Sequence, residues 1–134
     1  MDPVSTLAIG LNLHMVPAAE GGRQSPILNG EGPGSRFGYK PNWGLPGWDD
    51  GQQTAAPVLG FSRPSVYPGD DVRAIIVPLF IANVPEWRDV QLGQVLRMYE
   101  GSRICGLGTM MSIQSVIWPM PLGDQERIAG WLVG

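Results

Sequence analysis

The chain has 134 residues, 43% of them hydrophobic, and carries twelve acidic against nine basic residues for a net charge of −3. That size and apolar content predict one domain over residues 1–134, and the acidic balance argues against a general binder of nucleic acid. The single cysteine excludes an intramolecular disulfide and a cysteine-built metal site, and it is typical of a reducing compartment.

The 19 glycines and 13 prolines are typical of short strands joined by many turns. The sequence begins without the cationic region of a signal peptide. The apolar run between Arg73 and Arg88 is about a dozen residues long, which is too short to cross a bilayer. We therefore expect a cytoplasmic protein that does not contact membranes.

The first predicted strand covers residues 6–15, where apolar residues alternate with small or polar ones. Its apolar face is expected to reach the core, and the members of that face are Leu7, Ile9, Leu11, Leu13 and Met15. His14 falls on the opposite face and is the only histidine of the chain. A surface or packing role for it is therefore favoured over a metal ligand or a base.

A loop is predicted for residues 17–26, with Glu-Gly-Gly-Arg at 20–23 at its tip. The two glycines allow a sharp turn that exposes Arg23, the only cation among the first 35 residues. Arg23 is therefore a candidate anchor for a phosphate or a carboxylate of a partner. A solvated turn residue is the alternative.

Residues 29–51 form the least regular stretch, with strand expected only at 36–39. Trp43 and Trp48 lie there among glycines and prolines, and the acidic pair at 49–50, Asp49 and Asp50, follows. Each indole brings about 150–250 Å² of surface that must be covered. The two rings therefore either fold back onto the core or wait for a partner. Both rings and the acidic pair are candidate partner-binding residues.

A further strand is predicted at 57–62, before the tight turn that Pro68 and Gly69 indicate. Proline sets φ at the first central position of such a turn, and glycine accepts the positive φ of the second. The strand predicted at 72–82 carries Pro78, which implies a bulge or an edge position. Residues 83–91 then make a polar excursion whose one aromatic residue, Trp87, is another candidate for partner contact.

The next two predicted strands, at 95–99 and 104–114, are joined by a turn. Gly106 and Gly108 share one face of the second strand, and Cys105 lies on the other face. This β-meander predicts a small antiparallel sheet or barrel.

The order of these motifs resembles the C-terminal third domain of translation elongation factor Tu. The similarity rests on the 20–23 loop, the Pro-Gly-Asp turn at 68–70, and the Arg-Met-Tyr-Glu-Gly and Arg-Ile-Cys-Gly-Leu-Gly segments at 97–101 and 103–108. It covers about residues 7–114 and implies an all-β fold, a six-stranded antiparallel β-barrel. In that family, the arginine at the position of Arg23 belongs to the surface that meets the T-stem backbone of aminoacyl-tRNA.

The departures from the family bear on function. No phosphate-cradling P-loop of the form GxxxxGK[ST] occurs in the chain, so GTP hydrolysis is excluded. The family's Tyr-Arg-Pro-Gln segment is replaced by Glu-Gly-Pro-Gly at 31–34, which removes a cation, adds an anion and weakens binding to RNA phosphates. The two-tryptophan loop and the tail beyond Gln114 have no counterpart in the family.

Residues 115–134 form a C-terminal extension. Apolar residues at 116–120 precede a predicted short helix, which Asp124 would cap and whose apolar face holds Ile128, Trp131 and Leu132. One interpretation is that the extension covers an open side of the barrel. The other is that it binds a partner or replaces contacts with neighbouring domains that this chain lacks.

The expected function is a non-enzymatic binding module, as in a cytoplasmic protein–protein interaction or an immunity-type inhibitor of a bacterial toxin, without cofactor or metal. The acidic charge suits a protein partner with a basic surface. The alternative is a translation-associated tRNA-binding module that retains the surface around Arg23. An enzyme is not indicated, because one histidine, one cysteine and adjacent acidic pairs leave no catalytic constellation.

Overall fold

The computed structural model describes residues 2–28 and 36–133, so the Glu-Gly-Pro-Gly replacement at 31–34 lies outside the described residues. Short 3₁₀ turns occur at Ala18–Glu20, Pro85–Asp89 and Gly130–Val133. The main elements are seven strands and one helix, in chain order β1 (Val4–Met15), β2 (Asn42–Gly44), β3 (Thr54–Ala55), β4 (Val58–Phe61), β5 (Asp71–Ile76), β6 (Val95–Glu100), β7 (Arg103–Trp118) and α1 (Leu122–Ala129).

All seven strands belong to one antiparallel sheet with the order β3-β2-β6-β7-β1-β5-β4. The all-β class is therefore confirmed, whereas the six-stranded barrel is not confirmed. Within residues 2–28 and 36–133 the ladder stays open between β3 and β4. An isolated bridge between Tyr39 and Val58 links the chain ahead of β2 to the edge strand β4.

Strand β1 is an inner strand of the sheet, because it pairs with β5 on one side and with β7 on the other. The predicted alternation is confirmed: the side chains of Leu7, Ile9, Leu11, Leu13 and Met15 are all buried in the main core. Long central strands with one fully apolar face have a strongly specified register, since a one-residue slip would turn that face to solvent.

Two glycines of β7 let it approach β1 closely. A Cβ at Gly108 would lie 2.9 Å from Cδ1 of Leu11, so a larger residue would collide with a core side chain. Cys105 was expected on the opposite face, yet it is also buried. The reason is a β-bulge in β7: Met98 pairs with Gly106 and Tyr99 with Ile104, so Cys105 is the extra residue and the alternation of faces shifts there.

The predicted turn at Pro68 and Gly69 is present. Gly69 has φ +87°, and the Asp70 N–H donates to the Tyr67 carbonyl at 3.0 Å. Strand β5 that follows is shorter than the predicted 72–82, and it ends two residues before Pro78. Proline has no N–H to offer a ladder, so the chain leaves the sheet near it.

The C-terminal extension builds a second, smaller core on the sheet. Ile128, Ala129 and Leu132 are buried against β1, β4 and β5, where their partners include Ala8, Leu59, Ile75 and Val77. The extension thus packs on one face of the sheet. Helix α1 begins after Pro121 without a side-chain cap, and Asp124 lies in its first turn instead of capping it.

Candidate functional site

Two loops meet at one end of the sheet and form the candidate site. One loop follows β2, where the Trp48 N–H donates to the Leu45 carbonyl at 3.1 Å and Gly47 has φ +81°. The other is the 3₁₀ turn Pro85–Asp89. A tight turn with a glycine in the left-handed conformation reverses the chain over the core. The reversal places Trp48 beside the second loop.

Between these loops lies a pocket of about 150 Å³, which we call the Trp48 pocket. The lining combines apolar groups with two carboxylates and one amide, and consists of Leu45, Pro46, Trp48, Glu86, Asp89, Val90 and Gln94. Trp48 is partly exposed and packs against the main core. One indole, held in place by the core, is therefore available at the surface next to negative charge.

The two carboxylates of the pocket are free to meet a partner. Glu86 and Asp89 are exposed, and no ion pair reaches either of them within residues 2–28 and 36–133. Their nearest basic neighbour in sequence, Arg88, directs its guanidinium to the Ser5 carbonyl at 3.4 Å. Two unneutralised carboxylates beside an aromatic ring favour a cationic ligand.

Arg97 of β6 ties the acidic pair after Trp48 to the sheet. Its Nη2 donates to the Trp48 carbonyl at 2.7 Å, and its Nη1 lies 2.9 Å from Oδ1 of Asp50. Asp49 is exposed next to this ion pair. The arginine neutralises part of the charge of the pair, whereas no such ion pair involves Glu86 or Asp89 among the described residues.

The structure corrects the assignment of Trp43 and Trp87 to a partner-facing surface. Both rings have no exposed surface and lie in the main core. Trp43 Nε1 donates to the Ala56 carbonyl at 2.8 Å. The Nε1 of Trp87 is buried with no acceptor among the residues described. Of the three candidate tryptophans, Trp48 alone reaches the surface.

Arg23 is also placed differently from the prediction. Its Nη1 donates to Oε2 of Glu100, and its remaining donors face the carbonyl groups of Ser25 and Pro26 at 3.0 and 3.3 Å. Only 19% of its side chain is exposed. The guanidinium therefore holds its own loop against the C-terminal end of β6, at Glu100. The Trp48 pocket lies at the other end of this strand, beside Gln94.

Glu100 is the acceptor at the centre of this polar cluster. Besides the guanidinium of Arg23, it accepts a hydrogen bond from the Tyr39 hydroxyl, and the Cys105 thiol lies 3.5 Å from its Oε1. Burial first, and then the Glu100 carboxylate, raise the pKa of Tyr39 well above its usual range and raise the pKa of the Cys105 thiol to about 11. A thiol in that state is protonated and enclosed at neutral pH, so it is not a nucleophile.

His14 lies apart from both clusters, on the outer face of β1. Its Nδ1 is 2.9 Å from Oδ1 of Asp71, and both side chains are exposed. Across the described ranges, no group of three or more histidine, cysteine or acidic side chains is arranged to hold a metal ion. The same part of the chain contains no helix that is long and apolar enough to cross a membrane.

The sequence pointed to one loop of the site and missed the acidic residues of the other. Trp48, Asp49 and Asp50 lie at or beside the pocket, as expected of a surface feature, but Glu86 was not singled out. A usable signal was present in Pro85–Asp89, where two acids flank an aromatic ring at a spacing of one turn. Because Trp87 is buried, those two acids are held outward around it.

Similarity to known proteins does not assign a role to these residues. A scan against models of protein families finds none that matches the chain. A search of curated proteins likewise returns no match.

Proposed function

We propose that this chain is a non-enzymatic protein-binding module that docks on a basic surface of a cytoplasmic partner through the Trp48 pocket. The observation that carries the proposal is the pairing of one surface indole with two unneutralised carboxylates, Glu86 and Asp89, in one pocket. An arginine or lysine of the partner would lie on the ring and form ion pairs with the acids. The exposed Asp49 would add to the attraction.

The charge of the whole chain supports the same mode of binding. A net charge of −3 attracts a basic partner from a distance and raises the rate of association. A protein that neutralises a basic toxin by covering its active site needs these properties and no chemistry of its own. The immunity-type inhibitor is accordingly the form of binding module that we propose.

The tRNA-binding alternative has weaker support. Its central cation, Arg23, is held by Glu100 and by two carbonyl groups of its own loop. Binding to a phosphate backbone depends on free cations, and each one lost lowers the affinity. RNA binding is therefore an alternative outcome of the capture experiment, in which nuclease treatment would detect it.

The relation to the third domain of elongation factor Tu, with a six-stranded barrel, also remains a proposal. Its support is that the segments which carry the resemblance lie together. The Gly69 N–H of the 68–70 turn donates to the Met15 carbonyl at 3.0 Å, and Arg103 Nη1 donates to the Gly22 carbonyl of the 20–23 loop at 3.5 Å. An experimental structure tests it, because a strand order that cannot be superposed on that domain would refute the relation.

Capture from native cells tests the function. The tagged protein is compared with two double variants of equal charge change: Glu86→Gln with Asp89→Asn in the pocket, and Asp2→Asn with Glu20→Gln outside it. All four residues are exposed, so the fold should be unaffected. We expect a stoichiometric basic protein with the wild type and the outside variant, and at least about tenfold less with the pocket variant.

Treatment with nuclease separates the two kinds of partner. Capture that survives the treatment and depends on the pocket supports protein binding. Loss of the captured material after nuclease digestion would indicate RNA and refute the proposal, as would equal capture by both double variants.

A further inference from the structure

Strand β7 is longer than the strand that covers it. It spans Arg103–Trp118 and pairs with β1 along most of its length, from Gly106 to Trp118. On its other side, β6 pairs only as far as Thr109, and two further hydrogen bonds join Met110 to residues 93 and 94. Residues 111–118 therefore have a strand edge that no described residue covers.

The hydrogen-bond pattern shows which backbone groups point out of this edge. The Met110 N–H donates to Gln94 and its carbonyl accepts from Gly93, so both groups point away from β1. A bulge at the next residue shifts the alternation by one, since Leu11 faces Met110 while Gly10 faces Ser112. Beyond it, the N–H and C=O groups that point outward belong to Ile113, Ser115 and Ile117.

Among residues 2–28 and 36–133, these outward groups have no hydrogen-bond partner. Proteins normally protect such edges with lysine, proline or a covering segment. The stretch from Met110 to Trp118 contains no charged residue and no proline, and it is rich in β-branched and apolar side chains. The opposite edge of the same ribbon has contacts of its own, because the Thr6 hydroxyl donates to the Pro78 carbonyl and the Arg88 guanidinium donates to the Ser5 carbonyl.

We propose that a second copy of this chain pairs with the free edge of β7, antiparallel across a two-fold axis. The occupant follows from the composition of the edge, since an uncharged strand pairs with itself without placing like charges opposite each other. With Ser115 on the axis, Ile113 faces Ile117 of the second copy and all three outward residues are paired. Registers centred elsewhere leave one of them unpaired.

This pairing accounts for the ends of the edge as well as its middle. The paired segment begins after Met110, the last residue of β7 that is hydrogen-bonded to Gly93 and Gln94. It ends at Trp118, because Pro119 and Pro121 follow and have no N–H to donate. The eight residues between span about 26 Å, and the two copies would exchange up to about six backbone hydrogen bonds. No residue of 111–118 lines the Trp48 pocket, so this inference does not rest on the proposed partner.

Sedimentation velocity at about 100 µM tests the inference with the full chain. We expect a mass of about twice 14.5 kDa for the wild type. Ser115→Pro removes an N–H that faces solvent in the single copy, so it should leave the fold intact and abolish the dimer. A wild-type protein that stays monomeric at this concentration would overturn the inference, and so would a dimer that persists in Ser115→Pro.

A matched pair of lysine substitutions provides the control. Ile117 and Leu107 are both aliphatic residues of β7 with similar exposure, 42% and 38%, but Leu107 lies where β7 is flanked by β1 and β6. We expect Ile117→Lys to raise the dimer dissociation constant at least about tenfold and Leu107→Lys to leave it unchanged. The reverse order of effects would place the interface elsewhere. Circular dichroism of each variant establishes that the sheet is retained.

Discussion

Replacement of Trp43 distinguishes a core ring from a partner-binding ring. The side chain has no exposed surface, and its Nε1 donates to the carbonyl of Ala56, which is itself buried. Deleting a buried tryptophan costs about 3–5 kcal/mol, and the Ala56 carbonyl left without a donor adds about 1 kcal/mol. We therefore expect Trp43→Ala to lower the free energy of unfolding by at least about 4 kcal/mol.

The matched variant is Trp48→Ala, since Trp48 belongs to the same loop region but is partly exposed. Its loss should cost only about 1–2 kcal/mol, because part of the ring already contacts water. At about 2.1 cal/mol/K per residue, the entropy of unfolding makes a loss of 4 kcal/mol equal to a fall of about 14 °C in Tm for 134 residues.

Urea and thermal unfolding of the three proteins, followed by circular dichroism, measure this difference. With an m-value of about 1–3 kcal/mol/M, the midpoint of Trp43→Ala should fall by at least about 1.3 M. Equal midpoints for Trp43→Ala and the wild type would refute the reasoning, because a ring that can be deleted without cost does not support a core. Loss of partner capture by Trp48→Ala without a comparable fall in Tm would agree with the roles assigned to the two rings.

Three further perturbations address the polar cluster and the 20–23 loop. Glu100→Ala removes the acceptor of Arg23, Tyr39 and Cys105 and should lower the urea-derived free energy of unfolding by about 2 kcal/mol; no change would mean that the cluster is not formed in solution. Because the pKa of the Cys105 thiol is raised to about 11, the folded protein retains a proton that the unfolded chain loses near pH 9, so stability should fall between those values, and less steeply in Cys105→Ala. Gly22→Ala should lower the free energy of unfolding by more than about 2 kcal/mol, since the added Cβ would lie 2.0 Å from the Val16 carbonyl oxygen. Gly21→Ala is the control, because nothing lies within 4 Å of the added Cβ there and only φ +96° is unfavourable. A smaller loss of stability in Gly22→Ala than in Gly21→Ala would contradict the close approach at Gly22.

Periodicity and turn chemistry alone determined the central elements. The alternation at 6–15 specified which side chains of β1 face the core, and the glycines at 69 and 101 marked turns where the structure shows a positive φ. These features depend on neighbours a few residues apart, and a linear sequence contains all that they need.

The candidate site was only partly predictable for the same reason. The surface position of Trp48 and of the acids that follow it was inferred from the loop composition, but the other wall of the pocket comes from residues 86–94. The 3₁₀ turn Pro85–Asp89 buries Trp87 and thereby turns Glu86 and Asp89 outward. No pattern in the sequence of either loop predicts that the two loops will line the same pocket.

Tertiary structure alone decided the roles of Arg23, Trp43 and the C-terminal extension. The partner of Arg23 is Glu100, 77 positions away in sequence, and the acceptor of Trp43 belongs to the chain beyond β3. Whether a cation is free or paired, and whether a ring is buried or exposed, depends on which distant segments the sheet brings together. The free edge of β7 likewise exists because β6 is shorter than β7, which is a property of strand pairing and not of either strand alone.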